Sequence, residues 1–446
     1  MKILLGKNII DKSIYWNICE EKNPHLIVLG TSGSGKTETL KAIVNELNKN
    51  KISSLIIDFH NEYEQVASNI LDLRKRTINP LEFSNNEKAE NIVYEVADII
   101  KKVFKLGEIQ ESILRQAVKQ SYLEYGINLK KKENYKMFPN FLDIEKNIYR
   151  QENPSNKVVI NSLMSRIEIL FDIEIFSNTT NIEFNRLFKE TTVVQLKDFP
   201  TERVKSVIAE FFLNKLSYHI YSLDKSKKIR LYCVIDEAHR LMYENSPLDR
   251  LLREARKYGI GIILASQRPS DFNETVLANS GALLSFQCNL EKDAKFVAKQ
   301  FNLESRKIKN LTEPGLGYIK FSRSEKAEKI SIIPLNEREI TEKKINRKRE
   351  ERVEKEKFQN LNRIFFYDNE NFTLTTFLRI LFISIILLLG FWNLYFFELR
   401  YSILLFILAF IWTPLFTYGL EIKEEKLGVI LRILLSFLFI FLFYFI

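Results

Sequence analysis

Residues 30–37 read Gly-Thr-Ser-Gly-Ser-Gly-Lys-Thr, and this short stretch constrains the fold more than any other part of the chain. It follows an apolar run, His-Leu-Ile-Val-Leu at 25–29, and precedes a segment at 37–47 with helical periodicity. The spacing is GxxxxGK[ST], set by Gly30, Gly35, Lys36 and Thr37. Glycines let the backbone curl until successive N–H groups face one cavity, which suits phosphate oxygens. The positive end of the following helix faces the same anion. Gly30, Thr31, Ser32, Gly33, Ser34, Gly35, Lys36, Thr37 and Glu38 are therefore the candidate nucleotide-binding positions. Lys36 would neutralise β- and γ-phosphates, and the Thr37 hydroxyl would ligate Mg²⁺, so ATP and Mg²⁺ are the expected cofactors. A chance glycine loop is the alternative, but the strand before it and the helix after it supply the context that the motif requires.

Alternating strands and helices imply an α/β fold, a mainly parallel sheet with helices on both faces. Expected strands are 25–30, 53–58, 192–197, 230–236, 260–266, 282–287, 317–321 and 329–333. Residues 86–190 offer no strand and read as an α-helical insertion, with 109–125 and 161–171 the clearest periodic segments. The expected organisation is a core of 1–85 and 191–340 split by that insertion, a charged linker at 341–375, and a membrane region at 376–446. Lys130, Lys131 and Lys132 form either a solvated turn or a binding patch. Cys19, Cys233 and Cys288 lie far apart with no CxxC pair, which argues against a disulfide frame or a zinc site. The formal net charge of +10 suits an anionic partner, either nucleic acid or acidic lipid.

A phosphate loop binds; hydrolysis needs a metal partner and a base. Residues 231–237, Leu-Tyr-Cys-Val-Ile-Asp-Glu, read as a buried strand ending in two acids. Asp236 would reach the metal shell, and Glu237 would polarise the attacking water. The bland reading is an acidic pair capping the next helix. A further strand ends at Gln267, a polar tip able to sense the γ-phosphate or hold the water.

Three runs then carry a resemblance: Asp-Glu-Ala-His-Arg-Leu from 236, Leu-Arg-Glu-Ala-Arg-Lys-Tyr-Gly from 252, and Ala-Ser-Gln-Arg-Pro-Ser from 265. With Asp-Phe-His-Asn-Glu-Tyr from 58 and Gly-Glu-Ile-Gln-Glu-Ser-Ile-Leu-Arg-Gln-Ala from 107, residues 5–335 resemble the FtsK–HerA P-loop ATPases, above all the HerA-like branch. The resemblance implies a RecA-like core, a ring that is usually hexameric, ATP held between subunits, and DNA threaded through the centre. It also implies an arginine supplied across the interface: Arg256 by position, with Arg253 next. Permanent charge and a planar fork suit that task, while a surface ion pair is the plain alternative. Asp58, His60 and Glu62 would line the nucleotide site, with a turn role equally open to His60. Two departures stand out. HerA proteins usually carry an N-terminal β-barrel, and about two dozen residues precede the first expected strand here; HerA itself is soluble.

The chain closes with apolar segments at 380–397, 401–420 and 427–446, each about as long as a bilayer-crossing helix. Trp392, Tyr395, Trp412 and Tyr418 lie towards segment ends, and the basic residues of 343–363 place the preceding flank in the cytoplasm. The expected location is a multi-pass position in the cell membrane with the ATPase inside. The expected function is a membrane-anchored motor that hydrolyses ATP and translocates DNA without sequence preference as a ring of identical subunits, alongside a nuclease or secretion partner. Arg306, Lys307 and Lys309 are basic candidates for backbone contact. Two alternatives stay open: an ATPase for conjugative or type IV-like secretion, and an ATP-gated membrane effector of a defence system.

Overall fold

The computed structural model describes residues 1–84, 87–272, 276–277 and 280–338. The expected linker and the three apolar segments lie outside them, and among the described residues no helix is long and apolar enough to cross a membrane.

The strands are β1 (Lys2–Lys7), β2 (Ser13–Asn17), β3 (Leu26–Leu29), β4 (Ser53–Asp58), β5 (Asn69–Asp72), β6 (Thr192–Gln195), β7 (Leu231–Ile235), β8 (Ile260–Ser266), β9 (Ala282–Ser285), β10 (Leu316–Phe321) and β11 (Glu328–Ile332). They form one sheet in the order β2-β1-β11-β10-β9-β3-β8-β7-β4-β6-β5. From β9 to β5 every neighbouring pair is parallel. From β9 to β2 every pair is antiparallel. The sheet is thus parallel at its centre with an antiparallel wing. The strand expected first, at 25–30, is the third, because β1 and β2 form a hairpin that joins the wing through β11.

Burial on both faces explains why the central strands are continuous apolar runs. Ile27 and Leu29 of β3, Leu55 and Ile57 of β4, and Cys233 and Ile235 of β7 point into one core. Their neighbours Leu26, Val28, Ile56, Tyr232 and Val234 point into the other. Helix α1 (Lys36–Lys49) covers this second face with Leu40, Ile43, Val44 and Leu47, beside Ile3, Leu5 and Trp16 of the hairpin. The first face receives α2 (Ala89–Phe104), α3 (Glu108–Glu124), α4 (Phe141–Tyr149), α5 (Lys157–Ile167) and α6 (Phe184–Leu187), the helices between β5 and β6. After them come α7 (Glu202–Tyr221), α8 (Pro247–Glu254), α9 (Glu291–Phe301) and α10 (Ser305–Lys309). No strand occurs among the described residues from 87 to 190. Past β11, Arg338 sits buried and donates to the Ile333, Leu4 and Leu5 carbonyls at 2.8–2.9 Å, with Glu46 of α1 at 3.4 Å. It ties the hairpin to the helix that follows the phosphate loop.

Candidate active site

Register places the chemistry. In the parallel part Leu29 lies beside Ser266, Ile235 beside Leu264, and Ile57 beside Ile235. The residues that follow β3, β8, β7 and β4 therefore emerge together at the carboxyl edge of the sheet, where open α/β sheets bind ligands. They are the 30–37 loop, Gln267, the Asp236–Glu237 pair and the turn that starts at Asp58.

The loop has the backbone that its glycines allow. Gly33 (φ 76°) and Gly35 (φ 101°) lie in left-handed space, and a Cβ on Gly35 would come within 2.9 Å of the Gly315 nitrogen. Gly35 also stands at the N-cap of α1 with no side chain capping the helix, which leaves its first N–H groups for an anion. The loop is fastened from outside. Thr31 N–H donates to the Gln287 carbonyl at 2.8 Å, and Gly315 N–H donates to the Ser34 carbonyl at 3.0 Å. Lys36 Nζ lies across the loop and donates to the Thr31 carbonyl at 2.8 Å. Burial lowers its pKa, while Asp236 and Glu237 oppose that shift. Glu38 pairs instead with Lys41 at 2.8 Å, and its carboxylate would repel phosphate, so only its backbone can serve.

Asp236 collects three donors. Its Oδ2 accepts from Thr37 Oγ1 at 2.8 Å and from Tyr63 Oη at 2.7 Å, and its Oδ1 accepts from Glu237 N–H at 3.0 Å. Glu237 has left-handed backbone (φ 58°) and does not cap the short turn that follows it. Its Oε1 accepts from Gln267 Nε2 at 2.6 Å, and His239 Nδ1 is 3.5 Å from Oε2. A cleft of about 590 Å³ opens over the loop, and His60, Glu62, Glu237 and Gln267 also line it. Thr37 and Asp236 offer hydroxyl and carboxylate oxygen, hard donors of the kind that suits Mg²⁺. The loop amides and Lys36 suit a polyphosphate.

Two family models match the chain. The central domain of helicase HerA covers residues 9–216, and the DNA-binding domain of type IV secretion-system coupling proteins covers 150–307. The DNA double-strand break repair helicase HerA of Sulfurisphaera tokodaii is 26% identical over 293 residues, 61% of this chain and 57% of that protein. The matched stretch is similar to the HerA–FtsK group of P-loop ATPases. The DNA import protein CedB of Sulfolobus acidocaldarius is 27% identical over 320 residues, 65% of this chain and 48% of that one. VirB4 of Thermoanaerobacter pseudethanolicus shares the fold, with a TM-score of 0.61 at 20% identity over 74% of this chain and 96% of that chain. The chain spans about half the length of the curated relatives it matches.

The remaining sequence candidates fall outside the cleft. Arg256 is exposed on the short turn Ala255–Tyr258, just before β8, whose far end leads to Gln267. Its own cleft is roughly 20 Å away along a seven-residue strand. Arg253 pairs with Asp249 at 2.9 Å. Arg306 and Lys307 are exposed on α10, while Lys309 pairs with Glu291 at 2.9 Å. Lys130, Lys131 and Lys132 are exposed, as a solvated turn requires. Asp58 builds the turn: its carboxylate accepts from His60 and Tyr63 N–H, both at 3.0 Å, while burial raises its pKa. The sequence reasoning gave Tyr63 no role, although the residue ends the quoted 58–63 run.

Proposed function

We propose that this chain is an ATP-hydrolysing motor that moves DNA. The observation that carries the reading is the convergence of Thr37, Asp236, Glu237 and Gln267 on one cleft above a glycine loop with Lys36. In that arrangement the loop amides and Lys36 hold the phosphates. Thr37 and Asp236 would hold Mg²⁺, which would supply charge neutralisation at the reacting phosphate. Glu237 takes the proton of the attacking water, and Gln267 orients that carboxylate. Relatives named for DNA repair and DNA import support DNA as the substrate. Contact would fall on the phosphate backbone, through surfaces such as Arg306 and Lys307, so sequence preference is not expected.

The working form is a ring of identical subunits, a hexamer by family resemblance. Its anchor is the apolar segments at 380–397, 401–420 and 427–446, with the ATPase on the cytoplasmic side. The full chain, extracted in detergent, should hydrolyse ATP faster with double-stranded DNA, and rising salt should erase the stimulation as counterion release weakens binding. Recovery in carbonate-washed membranes checks the anchor. Turnover indifferent to any DNA would discard the motor reading. It would favour the second one, a secretion ATPase acting on polypeptide.

A further inference from the structure

We propose that Tyr63 is a positioning residue that sets the metal affinity of the cleft by fixing the Asp236 carboxylate. The inference rests on the reading of the cleft as a site for Mg²⁺ with ATP. Its starting point is geometric. Asp236 Oδ2 receives two hydroxyl hydrogens, from Thr37 at 2.8 Å and from Tyr63 at 2.7 Å, and only the first of these belongs to the phosphate loop.

The chain takes trouble to deliver the second. Tyr63 and Asp236 are 173 positions apart, and both are almost fully buried. Strand β4 lies beside β7 with Ile57 opposite Ile235, which brings Asp58 next to Asp236. Asp58 then gathers the N–H groups of His60 and Tyr63, each at 3.0 Å, into a tight turn. Asn61 completes the turn in left-handed backbone (φ 59°). The phenol ring is buried in the core that α1 covers, and its hydroxyl meets the carboxylate. A ring needed only for packing could be phenylalanine.

A carboxylate with one donor can rotate about its terminal bond; with a donor on each oxygen it is fixed. Tyr63 on Oδ2 and Glu237 N–H on Oδ1 provide that pair of restraints independently of Thr37. Thr37 can then turn its hydroxyl oxygen toward a cation without releasing Asp236. Partners of this kind, one step out from a metal, commonly change metal affinity by about 10–100-fold when removed.

The test uses full-length protein in detergent and a fluorescent non-hydrolysable ATP analogue, titrated with Mg²⁺ or held in EDTA. Mn²⁺ binding read by electron paramagnetic resonance gives a second measure that needs no turnover. Tyr63→Phe should leave metal-free analogue binding unchanged and require about tenfold more Mg²⁺ or Mn²⁺ for the metal-dependent gain. A metal requirement within about twofold of the parent would overturn the proposal. Loss of metal-free binding as well would assign Tyr63 to packing, and the proposal would fall. If the parental protein itself shows no metal-dependent gain, the ATP–Mg²⁺ reading fails first and takes this one with it.

Discussion

Glu237 occupies a backbone conformation that costs a non-glycine residue on the order of 1 kcal/mol, and the surrounding contacts hold it there. Gln267 donates to one of its oxygens at 2.6 Å, and His239 stands near the other. A group held in this way at the edge of a phosphate cleft suits proton transfer better than it suits binding. Glu237→Gln should therefore bind ATP like the parent and lose about 10²–10⁴-fold in turnover. Lys36→Ala should lose binding itself, since the Lys36 ammonium lies across the loop. Fluorescent-nucleotide affinity and phosphate release, measured on the same samples, separate the two; parental hydrolysis by Glu237→Gln would remove it as the base. The loop residues were legible in sequence because the motif is local: each side chain's task follows from neighbours within a few positions. The Tyr63–Asp236 bond was not, because it depends on two strands lying side by side in the folded sheet.

At the level of elements, legibility followed burial. The central strands announce themselves as apolar runs because both of their faces are covered. The hairpin strands do not. In β2, Ile14 and Trp16 point inward while Tyr15 stands 47% exposed, so three apolar residues in a row hide the alternation. β5 has only four residues, and its Ile70 is exposed. Where the helical insertion meets the core, a feature beyond sequence reasoning appears. Glu210 of α7 is fully buried, near Asp98 of α2, Arg250 of α8 and Tyr243. Burial is the main cause that pushes its carboxyl well above the usual range; Asp98 adds to this, and Arg250 and Tyr243 oppose it. The folded chain therefore holds a proton that the unfolded chain has lost, over the interval from the ordinary carboxylate pKa up to the raised one. Within that interval stability falls as pH rises. Glu210→Gln cannot ionise, so its midpoint of thermal unfolding should exceed the parent's at pH 7–8 and converge on it near pH 4. A gap that stays constant with pH would mean that Glu210 is charged in the fold.

For the whole molecule the decisive placement is Arg256. The cleft lies at the carboxyl edge of the parallel strands, and Arg256 lies at the opposite edge, exposed, with β8 between them. No rotamer closes a gap of roughly 20 Å, since an arginine side chain reaches only about a third of it. If Arg256 acts on phosphate at all, it acts on the cleft of a second copy, and a ring supplies that arrangement at every interface. The resemblance already implied an arginine from a neighbouring subunit, and the fold adds the physical reason, since Arg256 lies beyond reach of its own cleft. Arg256→Ala alone should retain nucleotide binding, because its own cleft is untouched, and lose on the order of 10³-fold in turnover. Mixing is the sharper measurement. Each variant subunit in the proposed ring would leave its neighbour's cleft without the guanidinium. Where the subunits fire in a coupled order, one silent cleft stalls the rest. DNA-stimulated hydrolysis by parental protein should therefore fall faster than the fraction of variant added. A decline in simple proportion to that fraction would show independent sites, and unchanged turnover by pure Arg256→Ala would return the residue to the solvent-facing surface on which it is found.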